Sequence, residues 1–303
     1  MAVCFNLITN IVNELIQITM RKPLFYLCIA LICCAACSND PEVNLEPQAP
    51  RLNVNDSLAI VDIWEKADGK NWFNKWDLKD FWTWGGAGII LDKEKNEYRI
   101  VKLDINIPAG NNVNGIISSK IGELTELRWL QIGNRGIKGK IPSSIQNLKK
   151  MENLSIAFTD ITDTIPNYFF SFEKLRELEV SDNKGITGNI PSSILNCPST
   201  ITSLRLGYNN LSGEIPLGIN TDHVLLDGNN FSSFPFEYLE DNATILYFRE
   251  NKIQGLIPDS ILHSPDKLKK LKYLTANPKK GYGYDNAPSD FHNNNNLLVL
   301  SLD

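Results

Sequence analysis

The chain contains few of the residues on which catalytic and metal sites depend. Its 303 residues include only three histidines, His223, His263 and His292, and no HExxH motif. It has neither a glycine-rich phosphate loop nor a Gly-x-Ser-x-Gly elbow, and no histidine stands in a catalytic cysteine–histidine setting. The acidic residues are scattered, so no pair of glycosidase carboxylates can be nominated. The sequence therefore predicts a protein that is not an enzyme and that uses no cofactor or metal ion.

Cysteine is almost absent beyond the N-terminus. Five of the six cysteines lie within the first 37 residues, and only Cys197 follows them. A single cysteine cannot form a disulfide within the rest of the chain, and no cluster has the spacing of zinc ligands. We expect Cys197 to be a buried thiol, because a free cysteine usually behaves as a small apolar side chain.

An excess of positive charge is also missing. The chain has 30 lysines and arginines against 35 aspartates and glutamates, which gives a formal net charge of −5. A protein that binds nucleic acid through its phosphates needs a basic face. This balance predicts that nucleic acid is not a partner.

The N-terminal apolar run is too short to span a bilayer. It covers residues 24–36, whereas about 20 apolar residues are needed to cross the hydrocarbon core. Arg21 and Lys22 precede the run, and the small residues Ala35 and Ala36 end it directly before Cys37. A basic start, a short apolar segment and small residues in this order predict a secretory signal.

This order of features resembles the lipobox of bacterial lipoproteins. The resemblance implies that Cys37 is diacylated and becomes the N-terminus, although Cys34 stands where that family usually has leucine. It also implies export to the outer membrane or cell surface of a Gram-negative bacterium, with the lipid as the only membrane contact. We predict that translation begins at Met20, that residues 1–37 are an extension plus the signal, and that the polar, proline-bearing residues 38–50 are a flexible tether.

The strongest pattern in the chain is a repeat between residues 98 and 274. Its motif is Leu-x-x-Leu-x-Leu, followed by an asparagine and then by Gly-x-Ile-Pro. Leu130, Leu154 and Leu178 are 24 residues apart, and Leu204 follows after 26. A period of 20 to 29 residues with this spacing predicts a leucine-rich-repeat solenoid. Alternate leucines share one face of a short strand, and the asparagine amide can bond backbone groups where the chain leaves that strand.

The Gly-x-Ile-Pro form of the repeat resembles the plant-specific class of leucine-rich repeats, which also occurs in bacterial surface proteins. The resemblance implies an α/β solenoid, a right-handed superhelix with a parallel β-sheet on its concave side. Arg135 and Thr159 depart from the pattern, because they stand where asparagine is expected. The resemblance as a whole is to bacterial leucine-rich-repeat surface lipoproteins.

Residues 51–97 are predicted to cap the first coil. A helix that is capped by Asn55 or Asp56 and ends at Gly69 is expected here. Its apolar positions recur at helical spacing: Leu58, Val61, Ile63, Trp64 and Ala67. Four tryptophans follow: Trp72, Trp76, Trp82 and Trp84. Their surroundings resemble the N-terminal cap of the same repeat class, which implies a packing role. The alternative is a platform on which sugars stack.

Function is expected on the concave sheet, where the strand residues between the leucines point outward. Exposed aromatic and arginine side chains dominate binding hot spots, although strand aromatics can also serve only cross-strand packing. The predicted binding residues are Trp129, Gln131, Phe158, Glu177, Glu179, Asp182, Arg205, Tyr208, Asp227, Tyr247 and Arg249. Among the histidines, His223 is expected at an exposed strand position.

The repeats are predicted to run over residues 98–303 and to continue beyond them. Leu268, Leu271 and Leu274 predict one more strand, and Leu297 and Leu300 begin another copy of the motif. A chain that stopped there would leave an apolar coil face exposed, so further coils or a cap are expected to follow. The sequence thus predicts a cell-surface module that binds a protein or a glycan. The alternative is a spacer or targeting part of a longer protein.

Overall fold

A computed structural model describes residues 49–105, 112–198, 200–216, 219, 221–233, 245–252 and 254–255, and short strands at 273–275, 283–284 and 300–301. The predicted signal with Cys37, most of the tether, His263 and His292 lie outside the described residues. In the part that is described, no helix is long and apolar enough to span a membrane.

The chain begins with an α/β cap. Strand β1 (Arg51–Leu52) leads into helix α1 (Val54–Lys66), and the antiparallel strands β2 (Ala87–Asp92) and β3 (Glu97–Asp104) follow. The side chain of Asn53 caps the helix, because its Oδ1 accepts hydrogen bonds from the N–H groups of Asn55 and Asp56. The capping residue is therefore Asn53 and not the predicted Asn55 or Asp56.

The buried face of α1 differs from the predicted one. Its buried residues are Asp56, Ala59, Ile60 and Ile63, whereas Leu58 is 65% exposed. The helix turns Asp56 rather than Leu58 toward the core, and Arg99 compensates the Asp56 carboxylate there. The helix also ends earlier than expected, at Lys66, and Gly69 opens a separate 3₁₀ turn (Gly69–Asn71).

Three of the four tryptophans of the cap pack in its core. Trp72, Trp76 and Trp84 are buried, with ring centroids 5.0 Å apart for the first pair and 5.7 Å for the second. Each indole N–H donates to a backbone carbonyl, so none is left unsatisfied on burial. Only Trp82 of this group is exposed, at 65%. Packing therefore accounts for the cluster, and three of its rings cannot stack on a sugar.

The repeats form a parallel sheet in which one strand comes from each coil. From β3 onward, the strands of the described residues pair in chain order, and each coil adds one strand. These strands are β5 (Trp129–Gly139), β6 (Asn153–Ile161), β8 (Glu177–Ser181), β10 (Ser203–Arg205), β12 (His223–Leu225), β14 (Ile245–Tyr247), β16 (Tyr273–Thr275) and β18 (Leu300–Ser301).

One residue of each strand falls into a single column of register partners. The column runs through Leu103, Leu130, Leu154, Leu178, Leu204, Val224, Leu246, Leu274 and Leu300. From Leu103 to Val224 these side chains are almost fully buried. The strands predicted at Leu274 and Leu300 are confirmed. The parallel sheet and its helical cap confirm the predicted leucine-rich-repeat solenoid.

Short strands and 3₁₀ turns complete the coils on the other side. In the described residues, Pro142, Pro166 and Pro191 each precede a 3₁₀ turn that buries isoleucine or phenylalanine, at Ser143–Asn147, Asn167–Ser171 and Ser192–Asn196. A second parallel sheet is formed by four short strands: β7 (Asp163–Thr164), β9 (Ile186–Gly188), β11 (Asn210–Gly213) and β13 (Asn230–Phe231). Two further pairings are β4 (Asn114–Ile116) with β5 and β15 (Gln254–Gly255) with β17 (Gly283–Tyr284).

A ladder of buried asparagines holds successive coils together. Its members are Asn183, Asn209, Asn229 and Asn251. The Asn209 amide donates to the carbonyls of Val180 (2.6 Å) and Leu206 (2.9 Å), and its Oδ1 accepts from the N–H of Asn183 (3.0 Å). Thr159 replaces asparagine at one rung and donates its hydroxyl to Asn183 Oδ1 (2.7 Å). Thr159 is therefore shorter than asparagine but keeps the hydrogen bond that joins its coil to Asn183.

Candidate functional site

The outward side chains of the concave sheet form two columns across neighbouring coils. Alternate residues of a strand point to opposite faces, so the residues on either side of the leucine column face outward together. The strands pair in register, which aligns these residues from coil to coil at about 4.8 Å per step. The first column contains Trp129, Asn153, Glu177 and Ser203, and the second contains Gln131, Ser155, Glu179 and Arg205.

These two columns enclose a depression of about 290 Å³ on the sheet. Its floor lies over β6, where the outward residues Asn153 and Ser155 are short. Trp129 stands on the preceding strand, and the longer side chains of Glu177 and Glu179 stand on the following one. The depression therefore results from short residues on one coil between long residues on its two neighbours.

The carboxylates of the depression differ in their hydrogen bonding. Glu179 is half-buried and accepts hydrogen bonds from the hydroxyls of Ser155 (2.7 Å) and Ser181 (3.1 Å). Arg205 is its register partner on the next strand, yet no ion pair within 4.0 Å joins them. Glu177 and Arg205 are exposed, and neither forms an ion pair with any residue that the structure describes. Both are thus available to a ligand.

Ser203 adds a polar group that lacks a partner. Its side chain is buried, at 5% exposure, and it lines the depression. Among the described residues, its hydroxyl has no hydrogen-bond partner. A buried hydroxyl without a partner costs about 1–3 kcal/mol, so such groups usually meet water or a ligand.

Trp129 supplies the aromatic wall of the depression. It is 38% exposed, and the Lys102 ammonium group lies 5.0 Å from the centroid of its ring. The predicted residues Trp129, Gln131, Glu177, Glu179 and Arg205 are therefore brought together. Sequence reasoning missed Ser155 and Ser203, because it favoured large side chains. Their place in the same outward columns would have identified them.

A second group of predicted residues lies where the strands end. The predicted residues Phe158, Asp182 and Tyr208, together with Glu250, each directly precede Thr159 or an asparagine of the ladder and adopt left-handed φ angles of 55–57°. We name these four residues the strand-exit ridge. Phe158 is 52% exposed and Tyr208 46%. A left-handed backbone costs a residue with a side chain about 1–2 kcal/mol, so two exposed aromatics are held here against their local preference.

Side chains of neighbouring coils contact the strand-exit ridge. The Arg135 guanidinium lies 5.9 Å from the centroid of the Phe158 ring, and its Nη1 donates to the carbonyl of Asp182 (2.6 Å). Burial raises the pKa of Asp182. A Cβ at Gly228 would lie 2.5 Å from Cδ1 of Tyr208, so that ring packs closely on the next coil. The ridge is thus a packed surface rather than a row of free side chains.

Tyr247 and Arg249 form the last part of the predicted surface that the structure describes. The Arg249 guanidinium lies 5.8 Å from the centroid of the half-buried Tyr247 ring. These residues lie on and after β14, two strands beyond Arg205, and they do not line the depression. His223 is exposed on β12, as predicted, and also lies outside the depression.

The outward exposure expected for Asp227 is not found. Asp227 is 6% exposed, and its carboxylate accepts the N–H of Arg249 (2.5 Å). The equivalent residues of three other coils, Ala157, Ser181 and Gly207, are also buried. The chain bends out of the strand at this point, so a side chain there meets the next coil instead of solvent. Burial raises the pKa of Asp227.

Two further expectations concern reactive or metal-binding groups. Cys197 is half-buried rather than buried, and it packs against the core after the 3₁₀ turn Ser192–Asn196. Burial raises the pKa of its thiol to about 11. Within the described residues, no three His, Cys, Asp or Glu side chains are grouped so that they could hold a metal ion.

Comparison with known proteins places these repeats in the plant type. Phytosulfokine receptor 1 of Arabidopsis thaliana is 26% identical over 52% of this chain and 17% of the receptor. Receptor-like protein 18 of the same plant is 30% identical over 50% of this chain and 21% of its own length. The chain thus matches about a fifth or less of the length of these relatives. No protein-family profile matches the sequence.

Solved structures show the same fold. A plant ice-binding protein superposes with a TM-score of 0.60 at 26% identity, covering 77% of this chain and 73% of that one. The plant peptide hormone receptor RGFR1, in complex with RGF2, has a TM-score of 0.53 at 27% identity, covering 63% of this chain and 30% of the receptor. These similarities support a leucine-rich-repeat solenoid of the plant type.

Proposed function

We propose that this chain is a protein-binding module whose concave face binds an extended segment of a partner protein. The observation that carries the proposal is the depression, in which exposed Trp129 adjoins Glu177 and Arg205, two charged groups without ion pairs. Aromatic and arginine side chains at the centre of a surface dominate binding energies. The peptide hormone receptor RGFR1, whose structure is similar, was solved in complex with RGF2, which supports a peptide as the ligand.

The test compares peptide capture with glycan capture. The 303-residue chain is applied to an array of random dodecapeptides and to a glycan array, together with its Trp129→Ala and Arg205→Ala variants. We expect peptide binding that Trp129→Ala weakens at least tenfold, a typical hot-spot effect, and that Arg205→Ala changes in the direction set by the charge of the peptide. Trp82→Ala and Arg128→Ala are the matched controls, because both side chains are exposed outside the depression.

Three outcomes would argue against the proposal. Equal peptide capture by all variants would place binding elsewhere on the molecule. Capture of glycans alone, lost with Trp129→Ala, would make a sugar the ligand of the concave face. No capture of either class would favour the spacer or targeting role in a longer protein.

We propose further that the module is exported and anchored at the surface of a Gram-negative bacterium through diacylated Cys37. The basic residues before the apolar run 24–36 and the small residues before Cys37 support this. The tether would then be 38–50, the cap 51–97 and the repeats 98–303.

Labelling with an alkyne fatty acid should modify the full chain and its Cys34→Ser variant but not Cys37→Ser. Mass spectrometry of the precursor should find Met20 as its first residue. Labelling that survives Cys37→Ser would exclude this anchor.

A second candidate function, binding to ice, is favoured by a row of small polar side chains on the second sheet. Thr164, Thr187 and Asn210 are register partners on β7, β9 and β11, and all three are exposed. A similar solved structure, in which the match covers 77% of this chain and 73% of that chain, is described as a plant ice-binding protein. Measurable thermal hysteresis that Thr187→Lys abolishes would support this function, and its absence would exclude it.

A further inference from the structure

The walls of the depression differ in charge. An aromatic ring, Trp129, stands on the strand before the floor, and two carboxylates, Glu177 and Glu179, stand on the strand after it. An indole face and carboxylate oxygens both attract cations, the first through its quadrupole and the second through charge. A group that lies on the floor therefore has carboxylates on one side and, on the other, the indole of Trp129, whose ring centroid also lies 5.0 Å from the Lys102 ammonium group.

The hydrogen bonds of Glu179 favour the same kind of ligand. Its two carboxylate oxygens accept from Ser155 and Ser181, and these bonds hold the side chain beside the floor. Glu177, in the neighbouring column, has no ion pair with any described residue. One carboxylate is thus fixed in place while the other is free to bind directly.

The unpartnered hydroxyl of Ser203 is an independent sign of a ligand. Its side chain is 95% buried, since only 5% is exposed, and it lies beside Glu177 as a register partner. A hydroxyl oxygen accepts hydrogen bonds readily from an ammonium or guanidinium group, which carries several donors and no acceptor. A cation bound to Glu177 would therefore also satisfy Ser203.

We propose that the depression binds the cationic side chain of a lysine or arginine in the partner segment. The side chain lies over Asn153 and Ser155, with its apolar stem along Trp129 and its charged end at Glu177 and Ser203. This inference rests on the proposed function, because it names the chemistry of a ligand at the same concave site. Arg205 lies on the same strand as Ser203 but in the other outward column, beside Glu179, so it borders the cation site instead of occupying it.

The experiment selects ligands without assuming a sequence. A phage-displayed library of random heptapeptides is panned against the 303-residue chain, and the enriched peptides are synthesised. We expect a lysine or arginine at one position of the consensus. Replacing that residue with norleucine or citrulline should weaken binding at least tenfold, as loss of a hydrogen-bonded charge does. Affinity should also fall as salt concentration rises.

Matched variants connect the peptide charge to the depression. Glu177→Gln keeps the shape of the side chain and should weaken the basic peptide at least tenfold. Glu173→Gln makes the same change of charge at an exposed residue outside the depression and should change affinity less than twofold. Ser203→Ala removes only the unpartnered hydroxyl, so it should weaken the basic peptide without lowering the thermal stability of the chain.

The alternative outcomes separate this inference from the proposed function. Peptides that depend on Trp129 but have no basic position would overturn the inference and leave the proposed function standing. An acidic consensus that is lost with Arg205→Ala would do the same and make the ligand an anion. Equal loss of affinity in Glu177→Gln and Glu173→Gln would show that the net charge of the chain, and not a contact with Glu177, determines binding. This result would overturn the inference. The absence of any peptide that depends on Trp129 would overturn both proposals.

Discussion

The Asp56 carboxylate binds the Arg99 guanidinium through two hydrogen bonds of 3.0 Å inside the cap. Their side chains are 0% and 7% exposed, and Asp56 also accepts the N–H of Ile100 (2.9 Å). The pair joins α1 to β3, the strand on which the leucine-rich repeats begin to stack. An ion pair in this position orients the cap helix relative to the first coil.

Asp56→Ala is therefore expected to lower the free energy of unfolding by about 3–5 kcal/mol. The substitution leaves a buried guanidinium without its main partner, and this cost is typical of one-sided removal of a buried pair. Urea unfolding followed by circular dichroism measures it. Glu97→Gln is the control, because Glu97 lies 3.7 Å from the same guanidinium but is partly exposed, and it should cost less than about 1 kcal/mol. Equal losses in both variants would contradict a special role for Asp56.

Asn209→Leu tests the asparagine ladder. The leucine side chain cannot bond the carbonyls of Val180 and Leu206 or the N–H of Asn183, and all three bonds join buried groups. We expect the free energy of unfolding to fall by about 3 kcal/mol or more, since each stranded group costs about 1–3 kcal/mol. Asn210→Ala, at the exposed neighbouring position, should cost about 0.5 kcal/mol or less. A loss in Asn209→Leu no larger than this would show that the ladder contributes little.

The period of the leucines is enough to predict which residues of each strand enter the core. A slip of one residue would turn Leu130 and its equivalents out of the core, so the register has only one solution along the sheet. The same period predicts strands at Leu274 and Leu300, and these two strands pair as expected. It also places Glu177 and Arg205 on the outward side, which is why most of the depression was predictable.

The burial of residues outside the leucine column depends on packing that no local sequence pattern predicts. Asp227 is buried because the chain bends toward the next coil after the strand, and Asp56 is buried because Arg99, 43 residues later, compensates its charge. Leu58 is exposed because α1 turns the face that carries Asp56 and Ile60 toward the core. Each depends on a contact or a bend of the chain that apolar periodicity does not encode.

Cys197 is expected to react slowly with alkylating agents in the folded protein. Burial raises the pKa of its thiol from 9.0 to about 11, and the thiolate is the reactive species. At pH 8 the thiolate fraction should therefore be about 100-fold lower than that of an unperturbed thiol. Iodoacetamide labelling followed by peptide mapping measures the rate in native buffer and in 8 M urea. Similar rates in the two conditions would contradict the protection of this thiol.

Asp227→Asn should change the pH dependence of stability. Burial raises the pKa of Asp227 above its ordinary value of 3.8, so the folded chain holds this proton to higher pH than the unfolded chain does. The stability from this group is complete below that ordinary value and is lost as pH rises through the folded pKa. Asparagine keeps an oxygen for the N–H of Arg249 and cannot titrate. The variant should therefore gain stability relative to the parent as pH rises from about 4, measured by urea unfolding across pH. A difference that is constant with pH would contradict this.

Phe158 allows the strain of the strand-exit ridge to be separated from the contribution of its ring. Its φ of 56° favours glycine, whereas glycine is normally less stable than alanine within a regular element. Phe158→Gly is therefore expected to be more stable than Phe158→Ala by about 1 kcal/mol, which reverses the usual order. Both variants lose the ring and its contact with the Arg135 guanidinium, so that loss cancels in the comparison. Thermal and urea unfolding of the two variants give the difference. If alanine were the more stable residue, the backbone at position 158 would not be strained, which would contradict this prediction.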